Sequence, residues 1–318
     1  MTRVNQARPF AQRGFTLVEL MVSMVIGLVT LGAVIKVYLV NNQTYRTQTA
    51  LSAMQQSARY ALDVLGFELR MAGFSGCGNL DVLPPNVLST AELTWPNDEV
   101  GQRLVGSDGD DGAPDALTVA RGGACGAQLN LAMTDTASEL QTEDAERCEW
   151  EAGALLMIAD CGTVDVFEAT DVAQAGGSTV IQHSAAANAS ANLSMAYGTE
   201  AQVMALEFNA FSIQEGPTGE PALFRGNEVL VEGVEDLQLR FGFDNNGDRA
   251  VDAYVEAGDV TDWYGVLSVE INLLLRTPQD GLAVEPQTYT FNGETVTATD
   301  RRLRRSYTQI VTLRNRVI

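Results

Sequence analysis

The chain has 318 residues, 46% hydrophobic and 19% charged, enough apolar material for a sizeable folded core. Its 41 acidic side chains outnumber 20 basic ones, for a formal charge of −21. That balance excludes a nucleic-acid partner, whose phosphates need a basic footprint, and suits a self-repelling surface outside the cytoplasm.

Residues 1–14 are polar and basic, with Arg3, Arg8 and Arg13, and end in Gly14. A secretory signal would carry its small residues after the apolar run, whereas here the glycine comes before it. From Leu20 to Ile35 no charge interrupts the chain. Phe15 to Lys36 spans roughly 32 Å at ~1.5 Å per residue, enough to cross a bilayer. The arginines keep the start in the cytoplasm, so the remainder lies on the far side, with Lys36 snorkelling to that interface. Within this stretch Glu19 is anomalous, because an ionised carboxylate in lipid costs ~2.5–3.5 kcal/mol and calls for a partner.

No proline occurs between Pro9 and Pro84. Tyr45, Leu51, Met54, Ala58, Ala61, Leu62, Leu65 and Leu69 recur at three- and four-residue intervals, an amphipathic pattern. One helix from Phe15 to Met71 is therefore expected, ~85 Å long, with Gly27 and Gly32 as places to bend. Its first part, residues 15–40, is apolar on all sides, for lipid or a filament core. Residues 41–76 carry a single stripe suited to lie under a globular head. "AGFSGCGN" (72–79) ends the helix in glycines.

Residues 77–318 read as a β-rich head. Expected strands are 116–120, 154–159, 164–169, 203–213, 227–243, 266–277 and 307–315, with clean alternation at Leu237, Leu239, Phe241 and Phe243. A long helix on a largely antiparallel sheet gives an α+β class. Cys77, Cys125, Cys148 and Cys161 form no CxxC pair, and His183 is the sole histidine, which disfavours zinc. Two disulfides in an oxidising compartment are expected, with buried free thiols as the alternative. The 12-residue spacer between Cys148 and Cys161 suits a hairpin-like loop, leaving Cys77–Cys125, one of three pairings. Of the six arginines in 301–316, strand residues paired with the protein's own acids are expected, and a basic membrane-surface patch is the alternative.

"RGFTLVE", Arg13 to Glu19, resembles the leader junction of type IV prepilins and pseudopilins. The resemblance implies that residues 1–14 are a leader. A prepilin peptidase cuts after Gly14 and N-methylates Phe15, and Glu19 is the acid that the family places fifth in the mature chain. Glu19 of one subunit then meets the Phe15 amine of a neighbour, each neutralising a charge otherwise stranded among apolar side chains. "ARYALDVLGFELRMAGFSGCG" (58–78), "DNNGDRAVDAYV" with "VLSVEINLLLRT", and "TQIVTLRNR" are similar to the PilW family of type IV pilus minor pilins. What this implies is a pilin-like fold and a single-pass protein of the bacterial inner membrane with its head in the periplasm. Assembled into the pilus, it joins other minor pilins in a tip or priming complex beneath the major pilin. A J-type minor pseudopilin of type II secretion is the close alternative, and an anchored adhesive or ligand-binding head a third.

The sharpest local chemistry is "DNNGDRAVD" (244–252). Asp244, Asn246, Asp248 and Asp252 stand at positions 1, 3, 5 and 9 of a calcium-loop spacing. Glycine falls at position 4 instead of 6, and Val255 occupies position 12, so a polar hairpin turn is the competing reading. Asp108, Asp110, Asp111 and Asp115 make a second acidic loop. No cofactor is otherwise called for. His183 sits in an Ala/Ser/Gln-rich stretch and reads as a surface loop residue, and Trp263 with Tyr264 as core or interface edge. No GxSxG, phosphate-loop or HExxH pattern appears, and no enzyme is expected.

Overall fold

The computed structural model describes residue 14 and residues 16–80, 82–93, 95–96 and 99–313. The chain divides into two compact units at Ser52/Ala53. A single helix, α1, runs Leu17–Met71. Its most apolar 18-residue window has a mean hydropathy of 2.3 and is wholly exposed, so by length and composition it qualifies as a membrane span.

The helix stops where Gly73 takes a left-handed φ of 73°. A Cβ there would lie 2.8 Å from Asn79 Oδ1 and 2.9 Å from Arg103 Cδ, so only glycine fits. A short hairpin follows, β1 (Phe74–Ser75) and β2 (Gly78–Asn79), then β3 (Asn86–Val87), β4 (Leu104–Ser107) and the long β5 (Ala116–Leu131). Next come β6 (Leu140–Glu143), β7 (Leu155–Ala159), β8 (Val164–Glu168), β9 (Asp171–Ala175), β10 (Ser178–Gln182) and β11 (Gln202–Glu215). Then follow β12 (Pro221–Arg225), β13 (Glu228–Glu232), β14 (Val234–Phe243), β15 (Ala253–Val255) and β16 (Val266–Arg276). The hairpin β17 (Thr288–Phe291) with β18 (Glu294–Thr297) precedes the last described strand, β19 (Arg304–Thr312).

The strands form two main sheets. The larger is ordered β3-β8-β7-β11-β5-β6-β10-β9, with β12, β13 and β4 attached off that path; the smaller is β15-β14-β16-β19. All of the pairings are antiparallel except β3 with β8. The seven expected strands all fall on observed ones. The 227–243 run is two strands, because Gly233 turns the chain at φ 81° and donates its N–H to Pro221 O at 2.7 Å.

Alternation in β14 works as expected: Leu237, Leu239, Phe241 and Phe243 are buried against the smaller sheet's core. The stripe of α1 meets them with Met54, Ala58, Ala61, Leu65 and Leu69, and Val269, Ile271 and Leu273 of β16 complete the cluster. Each such large side chain contributes ~1.5–3 kcal/mol of burial. Tyr45, expected in that stripe, is instead 70% exposed. Two further clusters fill the larger sheet, one around Leu156, Phe167 and Ile181, the other around Trp95, Met157 and Met204.

Buried charges are satisfied where they occur. Glu68 of α1 receives Arg121 of β5 in a two-pronged pair, with Nε–Oε2 2.6 Å and Nη2–Oε1 3.0 Å. Asp165 accepts bonds from Asn86, the Ser194 amide and hydroxyl, and the Tyr197 hydroxyl. The carboxylate and burial together raise the Tyr197 pKa, burial being the larger effect. Of the arginine-rich end, Arg302 pairs with Glu220 beside Arg276, and Arg304 with Glu235 and Asp300, as expected, whereas Arg305 makes no ion pair among the described residues and Arg314 and Arg316 lie outside them.

Both disulfides form, but not in the expected pairing. Cys77 bonds Cys161 and Cys125 bonds Cys148. The spacer between Cys148 and Cys161 is not a hairpin: β7 runs extended through it, and Cys161 sits in the following β7–β8 turn. At roughly 3.3 Å per residue that strand carries the two sulfurs apart. Cys161 therefore reaches the β1–β2 hairpin after α1, and Cys148 reaches β5. His183 is likewise no surface residue. It is buried edge-on to Phe167, its Nε2 2.9 Å from Ser138 O.

Candidate functional site

The start of α1 concentrates the sequence's functional signals. Gly14 is exposed, with open space around it; Phe15 lies outside the described residues. Thr16 and Glu19 form a reciprocal cap. Glu19 N–H donates to Thr16 Oγ1 at 3.2 Å, while Glu19 Oε2 accepts from Thr16 N–H at 3.0 Å and from the Thr16 hydroxyl at 2.9 Å. This is a capping box, which satisfies helix amides otherwise without partners. The carboxylate also sits at the positive end of the helix dipole. All three described bonds fall on one oxygen, so Oε1 has no donor among the described residues. Thr16 is the functional residue that the sequence reading missed, and "TLVE" carried its signal, a Thr with Glu three places on. Beyond the cap, the side chains from Leu17 to Val40 are exposed and apolar apart from Ser23, Thr30 and Lys36, with Leu17, Val29 and Leu28 the most open.

The 244–252 segment folds as a tight loop held by its own side chains. Asp244 accepts the amides of Asn246, Gly247 and Arg249; Asn246 accepts that of Asp248, and Asp248 that of Ala250. Asp252 accepts the Asn245 amide and the Asn246 side chain. The oxygens expected to face calcium are thus turned onto loop donors, the habit of a polar turn. Among the described residues no group of three or more His, Cys, Asp or Glu is placed to hold a metal. The donor set as folded does not fit a cation.

The 108–115 loop serves the fold. Asp108 accepts the Ala257 and Gly258 amides, and buried Asp115 accepts those of Gly109 and Leu239, its pKa raised by burial. Trp263 packs edge-on to Phe241, 4.9 Å between ring centres, half-buried against the core of the smaller sheet.

Two family descriptions match the chain. The Prokaryotic N-terminal methylation motif covers residues 9–35, and Type IV Pilus-assembly protein W covers residues 210–315. Over these residues the chain is similar to PilW-family pilins. No curated protein matches it. The first match spans Gly14, Thr16 and Glu19 with the apolar part of α1; the second begins within β11 and takes in the whole smaller sheet. The two matches support a type IV pilus-related minor pilin, and the methylation motif with the apolar helix suggests a membrane anchor. Pilin-family domains are structural and not enzymatic.

Proposed function

We propose that this minor pilin is cleaved after Gly14 and methylated on Phe15, then joins other minor pilins in a priming or tip complex beneath the major pilin. Before assembly it is stored in the inner membrane, with its start cytoplasmic and its head periplasmic. The observation that carries this reading is Glu19: an acid at the head of an apolar helix, inside the methylation-motif match.

The physical logic follows from charge burial. Thr16 holds one carboxylate oxygen in the monomer, which lowers but does not remove the penalty of an acid among lipid tails. Cleavage after Gly14 would create an ammonium group at Phe15. In a filament the amine of one subunit would neutralise Glu19 of its neighbour, so that only a correctly registered pair leaves no stranded charge. No cofactor enters this reading.

Mass analysis of the amino terminus of the mature protein tests the first step. The expected product starts at methylated Phe15, and retention of residues 1–14 in the working cell would end the proposal. Glu19→Ala should insert in the membrane normally and yet fail to enter pili. Deletion of the gene should abolish surface pili while leaving type II secretion intact; the reverse outcome would make the chain a pseudopilin.

A further inference from the structure

The smaller sheet ends at β19; residues of the β17–β18 hairpin segment lie against the start of that strand, and past Arg304 its outer side pairs with no other described strand. Thr277 N–H donates to Leu303 O and Leu313 N–H to Leu267 O, both at 2.9 Å. Those bonds fix the phase of the β16–β19 ladder: odd-numbered residues bond β16, and the N–H and C=O of even-numbered ones face away. At the first even position, Arg304, the Gln287 side chain fills both roles, accepting the amide at 2.7 Å and donating to the carbonyl at 2.9 Å. The outward backbone groups of Ser306, Thr308, Ile310 and Thr312 have no such partner among the described residues. Edges of this kind are usually blunted by proline, lysine or a bulge. "RRSYTQIVT" holds neither proline nor lysine, and its register with β16 is unbroken. All four outward residues are exposed, Ile310 at 55%.

Charge identifies the guest. On the helix-facing side of the same strand, Arg305, Tyr307 and Gln309 meet Gln55, Arg59 and Asp63 around a hollow of about 310 Å³. Arg121, Arg276, Arg302 and Arg304 are all locked in ion pairs, but Arg59 and Arg305 make none with any described residue. Arg305 lies over the Tyr307 ring, 5.8 Å from its centre, and the Tyr307 hydroxyl is buried with no hydrogen-bond partner. On a chain of charge −21, two uncommitted guanidinium groups beside an open strand edge are complementary to carboxylates.

We propose that the outer edge of β19 takes an extended acidic segment of a partner protein as a fifth strand. The guest's backbone pairs with Ser306, Thr308, Ile310 and Thr312 by strand addition, its carboxylates meet Arg59 and Arg305, and its bulk covers Ile310. The same edge of a second copy is the poorer guest, because "RRSYTQIVT" would bring arginines and no carboxylate to Arg59 and Arg305. The edge belongs to the head, so the inference is independent of leader cleavage and of Glu19.

The test uses the full chain in detergent micelles and a labelled synthetic peptide alternating Glu with Val and Thr. The expected result is saturable binding by fluorescence anisotropy, weaker by roughly tenfold or more for the peptide with Lys in place of Glu. Arg59→Glu with Arg305→Glu should lower affinity similarly. Thr308→Pro removes an outward N–H and no backbone bond to β16, giving up there only the hydroxyl's bond to Asn272 Oδ1, so the sheet should survive while binding is lost. A peptide N-methylated at alternate backbone nitrogens asks the same question without altering the protein, and should not bind. Failure of the acidic peptide to bind would overturn the proposal, as would equal binding of the lysine or N-methylated peptide. A concentration-dependent dimer by sedimentation, lost in Thr308→Pro and undisturbed by the peptide, would give the edge to a second copy and overturn it too.

Discussion

Glu68 and Arg121 join the helix to the larger sheet through a buried two-pronged ion pair, and each has a further tie. Asn209 donates to Glu68 Oε2 at 3.1 Å, and Arg121 Nη2 lies 2.9 Å from Glu207 while its guanidinium carbon stands 5.6 Å from the Phe67 ring centre. Removing one partner strands the other in a dry site, a loss of about 3–5 kcal/mol. Arg121→Met should therefore lower the thermal midpoint sharply in micelles. Arg121→Met with Glu68→Leu should recover much of the loss, since an apolar pair of similar volume leaves no lone charge. If the double variant is no more stable than the single one, the pair is not what anchors the helix.

The disulfides should differ in weight. Cys77–Cys161 closes a separation of 84 residues and Cys125–Cys148 one of 23. Loop-closure entropy then makes the first more stabilising by about 1 kcal/mol. Replacing each pair by serines and comparing denaturant midpoints checks the order, and equal or reversed losses would point to strain or residual structure instead.

Much of this architecture was legible in the sequence, for identifiable reasons. The helix announced itself by an unbroken three-and-four spacing from Met54 to Leu69, and β14 by its alternation. What escaped detection depended on partners distant along the chain. The short strands β9, β17 and β18 are mostly exposed and carry little apolar pattern, so only pairing defines them. Sulfur pairing depended on β7 separating Cys148 from Cys161, a fact of topology. His183 reads as solvent-facing because it sits in an Ala/Ser/Gln-rich stretch, and burial comes from Phe167 across the fold. At the site, spacing left 244–252 open between a calcium loop and a polar turn, because the same oxygens serve both, and only the fold shows them accepting the loop's own amides.

Asp300 gives the fold an acid-sensitive component. Its hydrogen bonds from Arg304 lower its pKa from the ordinary 3.8 to about 2. A depressed carboxylate contributes stability that is complete above the unfolded value and is lost as pH falls from 3.8 towards 2. With the side chain partly solvated, that contribution is on the order of 1–2 kcal/mol. Burial raises Asp115 and Asp236, and these have the opposite sign, costing stability as pH rises above the ordinary range. Stability of Asp300→Asn measured against pH should show a flatter acid limb than wild type. An unchanged limb would mean the Arg304 contact is absent in solution.

The capping box makes a prediction that separates storage from assembly. Thr16 and Glu19 satisfy each other in the monomer, so the two side chains should fail differently when removed. Thr16→Val keeps the shape and the backbone N–H that Glu19 accepts, but deletes the hydroxyl, a helix cap typically worth ~1 kcal/mol. The carboxylate then has fewer donors in lipid, and the membrane-inserted precursor should be less abundant at steady state. If Glu19 pairs with a neighbour's amine in the filament, that pairing survives in Thr16→Val, and whatever protein inserts should still enter pili. Glu19→Ala removes the cost of an acid in lipid altogether, so the precursor should accumulate while pili lack the protein. Immunoblots of membrane and sheared-pilus fractions read both quantities at once. Equal assembly defects in the two variants would mean that the intrachain cap, and not the contact between subunits, is what assembly requires of Glu19.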